Sequence, residues 1–210
     1  MDVSDKGLIE LMGHEGVCLS PYLDSVGVWT IGVGITGHDG LDVRSLGTIT
    51  LEKAITLYKD RIKAYTLPIK KSGLQLNQAQ FDALTSFCYN CGPGNLAKLI
   101  RGRSVDQIGD ALMLYTKPQE ITARRQKEQR LYKTGRYSNG GKVLVFPVSG
   151  NHRPIYSKGY QIDATKYFTG GPIPTAPVPP ATTGPARVPS QTQPPEGLSL
   201  AGIWEWLKNN

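Results

Sequence analysis

Leu8, Ile9, Leu11 and Met12 fall on one side of a helix that Ser4 can cap. Gly13 and Gly16 loosen that helix near its end. The apolar period then changes. Trp29, Ile31 and Val33 alternate with Thr30, Gly32 and Gly34, which is the two-residue repeat of a strand. Pro21 and Gly27 bracket residues 22–26 and predict a preceding short strand and a turn. The expectation is a helix followed by a glycine-rich β-hairpin.

Helical spacing then returns. Thr50 opens a second helix carrying Leu51, Ala54, Ile55, Tyr58, Ile62 and Tyr65, and Pro68 is expected to stop it. Asn77 caps a third, whose stripe is Phe81, Leu84, Phe87, Cys88 and Cys91 and whose end is Gly92-Pro93-Gly94. Ser104 and Gln107 form a capping box ahead of Ile108, Ala111, Leu112 and Tyr115. A last helix runs from about Glu120 to Lys133 and closes at Gly135. Several helices with short links and one small β-element make the class α+β.

Beyond this compact domain, residues 1–140, the pattern degrades. Residues 141–169 read as an irregular extension, with a strand at 143–146 ended by Pro147. Residues 170–197 hold nine of the chain's 15 prolines and read as a semi-extended linker. Residues 198–210 suit a short amphipathic helix capped by Ser199, with Leu200, Ile203, Trp204 and Leu207 on one face. A helix that short is marginal alone in water, so it must dock. Trp204 and Trp206 leave two readings open: weak contact with a membrane or partner, or docking back on the chain's own domain.

Charge and cysteine content narrow the chemistry. The net charge of +7 favours a polyanionic partner. No dense Lys/Arg run or nucleic-acid motif accompanies it, so nucleic-acid binding is not expected; anionic cell wall and simple solubility both remain, and charge alone does not choose between them. There is no apolar run of about 18 residues. The N-terminus has no basic start, and Asp5, Lys6, Glu10 and Glu15 interrupt any apolar stretch, so synthesis and retention in the cytoplasm are expected until release. Cys18, Cys88 and Cys91 are too few for a disulfide framework and read as buried hydrophobes. His14, His38 and His152 lack ligand spacing, so no metal site is expected. Nothing suggests more than a monomer.

Glu15, Asp24 and Thr30 lie within 16 residues, in the order E-x8-D-x5-T. A hairpin folding back beside a helix end can bring them to one cleft. Glycoside hydrolysis needs such a set: one protonated carboxyl for the leaving oxygen, and a second, ionised one to stabilise positive charge or activate water. Apolar surroundings favour Glu15 as the proton donor, and the polar turn favours Asp24 as the standing carboxylate. Thr30 offers a hydroxyl that can hold a water. On spacing alone, three such residues are also commonplace.

The surrounding segments decide more. GHEG (13–16) followed by PYLDSVGVWTIGVG (21–34), LNQAQFDALTSFCYNCGPG (76–94) and ITARRQKEQRLYKTGRY (121–137) closely resemble the signature of phage-type lysozymes, the endolysin family of glycoside hydrolases. The resemblance covers about residues 5–137. It implies a lysozyme-like domain with a small N-terminal β-lobe. It also implies cleavage between N-acetylmuramic acid and N-acetylglucosamine in peptidoglycan, usually with inversion and without metal or cofactor, and release to the wall through a separate pore. Carried over by position, Glu15 matches the general acid, Asp24 the second carboxylate, and Thr30 the residue that positions water. Tyr89 and Asn90 match residues lining the sugar cleft. Arg124 matches an arginine that reaches the catalytic glutamate, although a solvated helix charge is the alternative and Arg125 beside it can exchange roles with it. The chain departs from the pattern at Ile35, where many relatives carry a histidine; His38 is either a substitute or a surface residue.

Alternatives remain at this level. A lytic transglycosylase acts on the same substrate through one Glu, and Asp24 with Thr30 speaks against it. A non-catalytic wall-binding or virion module on the same fold is the other. Gly27, Gly32 and Gly34 are read as turn formers rather than sugar contacts, and Trp29 as a core residue rather than a sugar platform.

Overall fold

The computed structural model describes residues 1–37 and 40–168. Helix α1 (Asp5–Glu15) leads into an antiparallel sheet of β1 (Cys18–Leu23), β2 (Trp29–Gly32) and β3 (Ile35–Thr36), in that spatial order. Four helices follow: α2 (Leu51–Lys71), α3 (Gln78–Ile100), α4 (Val105–Ala111) and α5 (Thr122–Thr134). Strands β4 (Lys142–Val145) and β5 (Tyr160–Asp163) form a second antiparallel pair. The α+β class expected from the sequence is the one found. The linker, the terminal helix and His38 fall outside the described residues.

The helix starts follow their capping residues. Ser4 Oγ accepts from Gly7 N at 3.0 Å, while Ser4 N and Oγ both donate to Asp82 of α3. The cap therefore also fastens α1 to α3. Thr50 caps α2 through Lys53 N, and both capping boxes form, Asn77 with Gln80 and Ser104 with Gln107. Gly135 closes α5 in the left-handed region, at φ 71°, with its N–H on Leu131.

Two prolines behave differently from expectation. Pro68 lies inside α2, which runs on to Lys71. Its missing N–H costs one bond near the helix end. Burial of Ile69, and Ser72 donating to Ile69 O from both N and Oγ at 3.1 and 2.7 Å, hold the last turn. Pro21 lies inside β1 rather than ahead of a strand, at a register irregularity between Cys18 and Tyr22 where no ladder N–H is needed. The break at 92–94 is real but local. Gly92 leaves the helical region (φ 79°, ψ 164°), and helix resumes from Pro93 to Ile100. Proline suits the first turn of that new segment, where an N–H would have no partner.

Two large apolar cores and a small third cluster form among the described residues, and α2 spans the two large ones. One gathers Leu11, Met12, Ile31, Val33, Leu51 and Tyr58 between α1, the three-stranded sheet and the start of α2. The other gathers Ile69, Phe81, Leu84, Phe87, Leu99 and Leu131 around α3. Residues 141–168 are packed against the first. Val143, Val145 and Ala164 are buried in it, and Phe146 packs on Cys18 and Tyr22. Val17 N donates to Leu144 O at 2.9 Å, and Phe146 N donates to Val17 O at 2.8 Å. The chain just after α1 is thus hydrogen-bonded on both sides to the strand after α5.

Candidate active site

Glu15 is the last residue of α1 and is 9% exposed. Gly16 turns the chain in the left-handed region (φ 72°), with its N–H on Met12 O, and Val17 is pinned to β4. The backbone on both sides of Glu15 is therefore fixed. Arg124 Nη1 donates to Glu15 Oε1 at 2.6 Å across the junction of α1 and α5. Arg124, and not Arg125, makes this contact. Burial works against the Arg124 charge, but the Glu15 and Glu128 carboxylates outweigh it and hold the guanidinium above its ordinary proton affinity.

The other carboxylate oxygen faces the sheet. A Cβ at Gly34 would lie 3.4 Å from the Tyr89 hydroxyl and 4.0 Å from Glu15 Oε2, and Gly34 has φ +75°. The conformation is what calls for glycine there, and a Cβ would sit in ordinary contact with Glu15 and Tyr89. Tyr89 donates its hydroxyl to Val33 O at 2.6 Å. Burial holds the Tyr22, Tyr58 and Tyr89 phenols well above their ordinary range, and the Glu15 charge adds to it in all three. All three phenols therefore stay neutral in the neighbourhood of Glu15.

Asp24 sits in the turn between β1 and β2, partly exposed. Its Oδ1 accepts from Val26 N at 3.0 Å and Val28 N at 2.8 Å, an Asx-type closure. Those two bonds leave Oδ2 as the oxygen suited to a substrate or water. Arg153 braces the same turn, donating from Nη1 to Asp24 O at 2.8 Å and Leu23 O at 3.2 Å. Thr30, on β2, opposes Tyr22 in the sheet register and is 2% exposed. Its hydroxyl donates to Val28 O at 3.1 Å, so its lone pairs remain to accept from a water. Thr30 thus adjoins Tyr22, whose phenol senses the Glu15 charge, and its hydroxyl shares Val28 with the Asp24 turn.

Asn90 lies near the end of the first segment of α3. Its Oδ1 accepts from Arg125 Nη2 at 2.7 Å, which leaves the amide nitrogen as its outward donor. Behind Arg124 and Arg125 stands a cluster that the sequence reading missed. Glu128 accepts from Ser86 Oγ at 2.6 Å and Arg124 Nε at 3.0 Å, and Arg125 Nη1 lies 2.8 Å from its other oxygen. The legible signal was the spacing: Glu128 is i+4 from Arg124 and i+3 from Arg125, so all three share one helix face. Arg153 carried no comparable signal.

The remaining candidates settle into structure. Trp29 packs on the first core from its rim, with Arg44 5.0 Å from its ring centroid and the His152 ring at 4.8 Å. It lines a groove of about 720 Å³ with Ser20, Asp42, Arg44 and His152. Ile35 is buried in β3. Cys18 and Cys88 are buried thiols, and Cys91 is partly buried.

The phage lysozyme family model matches residues 12–128. The endolysin of Salmonella phage P22 is 35% identical over 143 residues, covering 63% of this chain and 98% of that protein. The endolysin of Bacillus phage B103 is 28% identical over 173 residues, covering 76% of this chain and 65% of that protein. Among solved structures, the endolysin from Escherichia coli O157:H7 phage FAHEc1 superposes with a TM-score of 0.60 at 27% identity, over 66% of this chain and 97% of the other. A P22 lysozyme mutant superposes with a TM-score of 0.56 at 35% identity, over 63% and 98%. The chain belongs to the phage lysozyme family, the glycoside hydrolases with which phages degrade peptidoglycan.

Proposed function

We propose that this enzyme is a muramidase, cutting the β-1,4 bond between N-acetylmuramic acid and N-acetylglucosamine with inversion. The observation that carries the reading is the division of labour at Glu15. One oxygen is held by Arg124, and the other faces bare backbone at Gly34 beside the Tyr89 hydroxyl. A carboxyl so fixed can present a single proton to a glycosidic oxygen.

In this reading Glu15 is the general acid. Asp24, whose turn fixes Oδ1 and leaves Oδ2 outward, stabilises positive charge at the sugar carbon and takes a proton from the attacking water. Thr30 accepts from that water. Asn90 offers its amide nitrogen to the sugar chain, and Tyr89 supports the wall of the cleft. Arg124 orients Glu15. No cofactor or metal enters. Access to the wall through a separate membrane pore belongs to the same reading and rests on the family's usual route.

The test is clearing of purified peptidoglycan by the native chain and by Glu15→Gln, followed by analysis of product ends. Loss of clearing in the variant by about 10²–10⁴-fold, with ordinary reducing ends of inverted configuration from the native enzyme, is expected. Anhydro ends would make the enzyme a transglycosylase. Equal clearing by both proteins would remove Glu15 from its role. An inert native chain that still binds the wall would make it a binding module.

A further inference from the structure

Glu128 is 1% exposed and no sugar can reach it, yet it ties α3 to α5 behind the cleft. Oε1 accepts from Ser86 Oγ on α3 and from Arg124 Nε and Arg125 Nη2 on α5, at 2.6, 3.0 and 3.2 Å. Each arginine then reaches past it to a different cleft residue. Arg124 bonds Glu15 at 2.6 Å, and Arg125 bonds Asn90 at 2.7 Å. We infer that Glu128 is a positioning residue that holds Arg124 on Glu15 and Arg125 on Asn90 at once, coupling the proton donor to the sugar-binding amide. This rests on the reading of Glu15 and Asn90 given above.

Stability alone does not explain the arrangement. A buried ion cluster is often no more stable than apolar side chains of the same volume. Two neighbouring guanidiniums repel each other, and burial lowers the proton affinity of Arg125 while Glu128 opposes that loss. What Glu128 adds is geometry. It takes Arg124 through Nε, which leaves Nη1 for Glu15, and it shares Nη2 of Arg125 with Asn90. It also divides the Arg124 charge between two carboxylates, so Glu15 does not receive the whole of it.

The other groups facing this cluster are silent between mild acid and mild base. The Tyr22, Tyr58 and Tyr89 phenols are raised by burial. His14 is held neutral by burial and by Arg124, Lys127 and Arg125. The Cys91 thiol, facing Glu128, is raised by burial.

The test is the pH profile of kcat/KM, with kcat and KM separated, on soluble uncrosslinked glycan strands. Glu128→Gln leaves the full Arg124 charge on Glu15 and favours its ionised form. The basic limb is expected to move to lower pH by about one unit. Release of Arg125 is expected to raise KM by up to roughly tenfold. Glu128→Asp, which keeps the charge, is expected to restore the limb. A folded Glu128→Gln protein with the native limb and native KM, losing amplitude alone, overturns the inference. If Glu128→Gln does not fold, Arg125→Lys decides. One ammonium keeps the charge but gives up the second prong of the fork, Nη1 on the other Glu128 oxygen, so Asn90 is held less firmly and KM should rise with the limb unmoved. A native KM there overturns it too. Glu15→Gln is the control: if it stays active the underlying reading has failed, whereas an inactive Glu15→Gln beside native-like Glu128 variants removes this inference alone.

Discussion

Arg124 Nη1 stands 2.6 Å from Glu15 Oε1, and this pair joins the end of α1 to α5 across 109 residues of chain. The family-model match ends at residue 128, just past this arginine. The pair is buried, so removing one partner strands a charge. Arg124→Ala is expected to cost about 3–5 kcal/mol in urea denaturation. Arg124→Lys keeps the charge but loses the fork that serves Glu15 and Glu128 together, and should cost less. Equal losses in the two variants would mean that packing, and not the ion pair, is what matters at this position.

Asp24 separates chemistry from stability. Asn at this position presents the same Oδ1 to Val26 N and Val28 N, so Asp24→Asn should unfold within about 0.5 kcal/mol of the native protein. Activity should fall by about 10²-fold or more, because the charge that faces the sugar carbon is gone. Glycan-strand turnover and a melt on the same sample check both halves. A variant that keeps its activity would free Asp24 from the chemistry.

The fold was legible wherever a local rule decides the backbone. Ser4, Thr50, Asn77 and Ser104 each cap the helix expected of them, because a cap needs only a side-chain oxygen and the backbone N–H three residues on. Pro68 misled because burial of Ile69 and the Ser72 closure, which lie after it, outweigh one missing bond. The β4–β5 pair was not legible as a pair. Its strands are joined by a long irregular segment, and only the bonds from Val17 to β4 show what they brace. At the candidate site, Glu15, Asp24 and Thr30 stood out by motif. Ser86 did not, since its role depends on a contact 42 residues away, and Glu128 offered only its i+4 and i+3 spacing to Arg124 and Arg125.

Phe146 tests whether residues 141–168 unfold with the rest. It is 1% exposed, packs on Cys18 and Tyr22, and meets the Tyr156 ring at 5.5 Å. A Cβ at Gly159 would fall 2.6 Å from its ring, so the loop closes tightly over it. Phe146→Ala should cost about 3–5 kcal/mol and lower the melting temperature of one cooperative transition. Two separate transitions, with only the smaller one shifted, would make this segment an independent unit.

His14 links stability to pH. It is buried on α1, and although Glu10 Oε1 lies 3.9 Å away, Glu10 is already engaged by the Ser138 hydroxyl and the Ser138 and Asn139 amides. Burial therefore dominates, helped by the positive charges of Arg124, Lys127 and Arg125, and holds the imidazole well below its ordinary 6.5. In the window below 6.5 the unfolded chain binds a proton that the folded one refuses. The contribution is thus fully present above that pH and is lost as pH falls, at up to about 1.4 kcal/mol per pH unit. Urea unfolding of the native protein and His14→Gln at pH 7, 6 and 5 isolates it, because carboxylate titrations are common to both and cancel in the difference. The native curve should fall more steeply toward acid. Parallel curves would mean that His14 accepts its proton in the folded state, and that Glu10, and not burial, governs it.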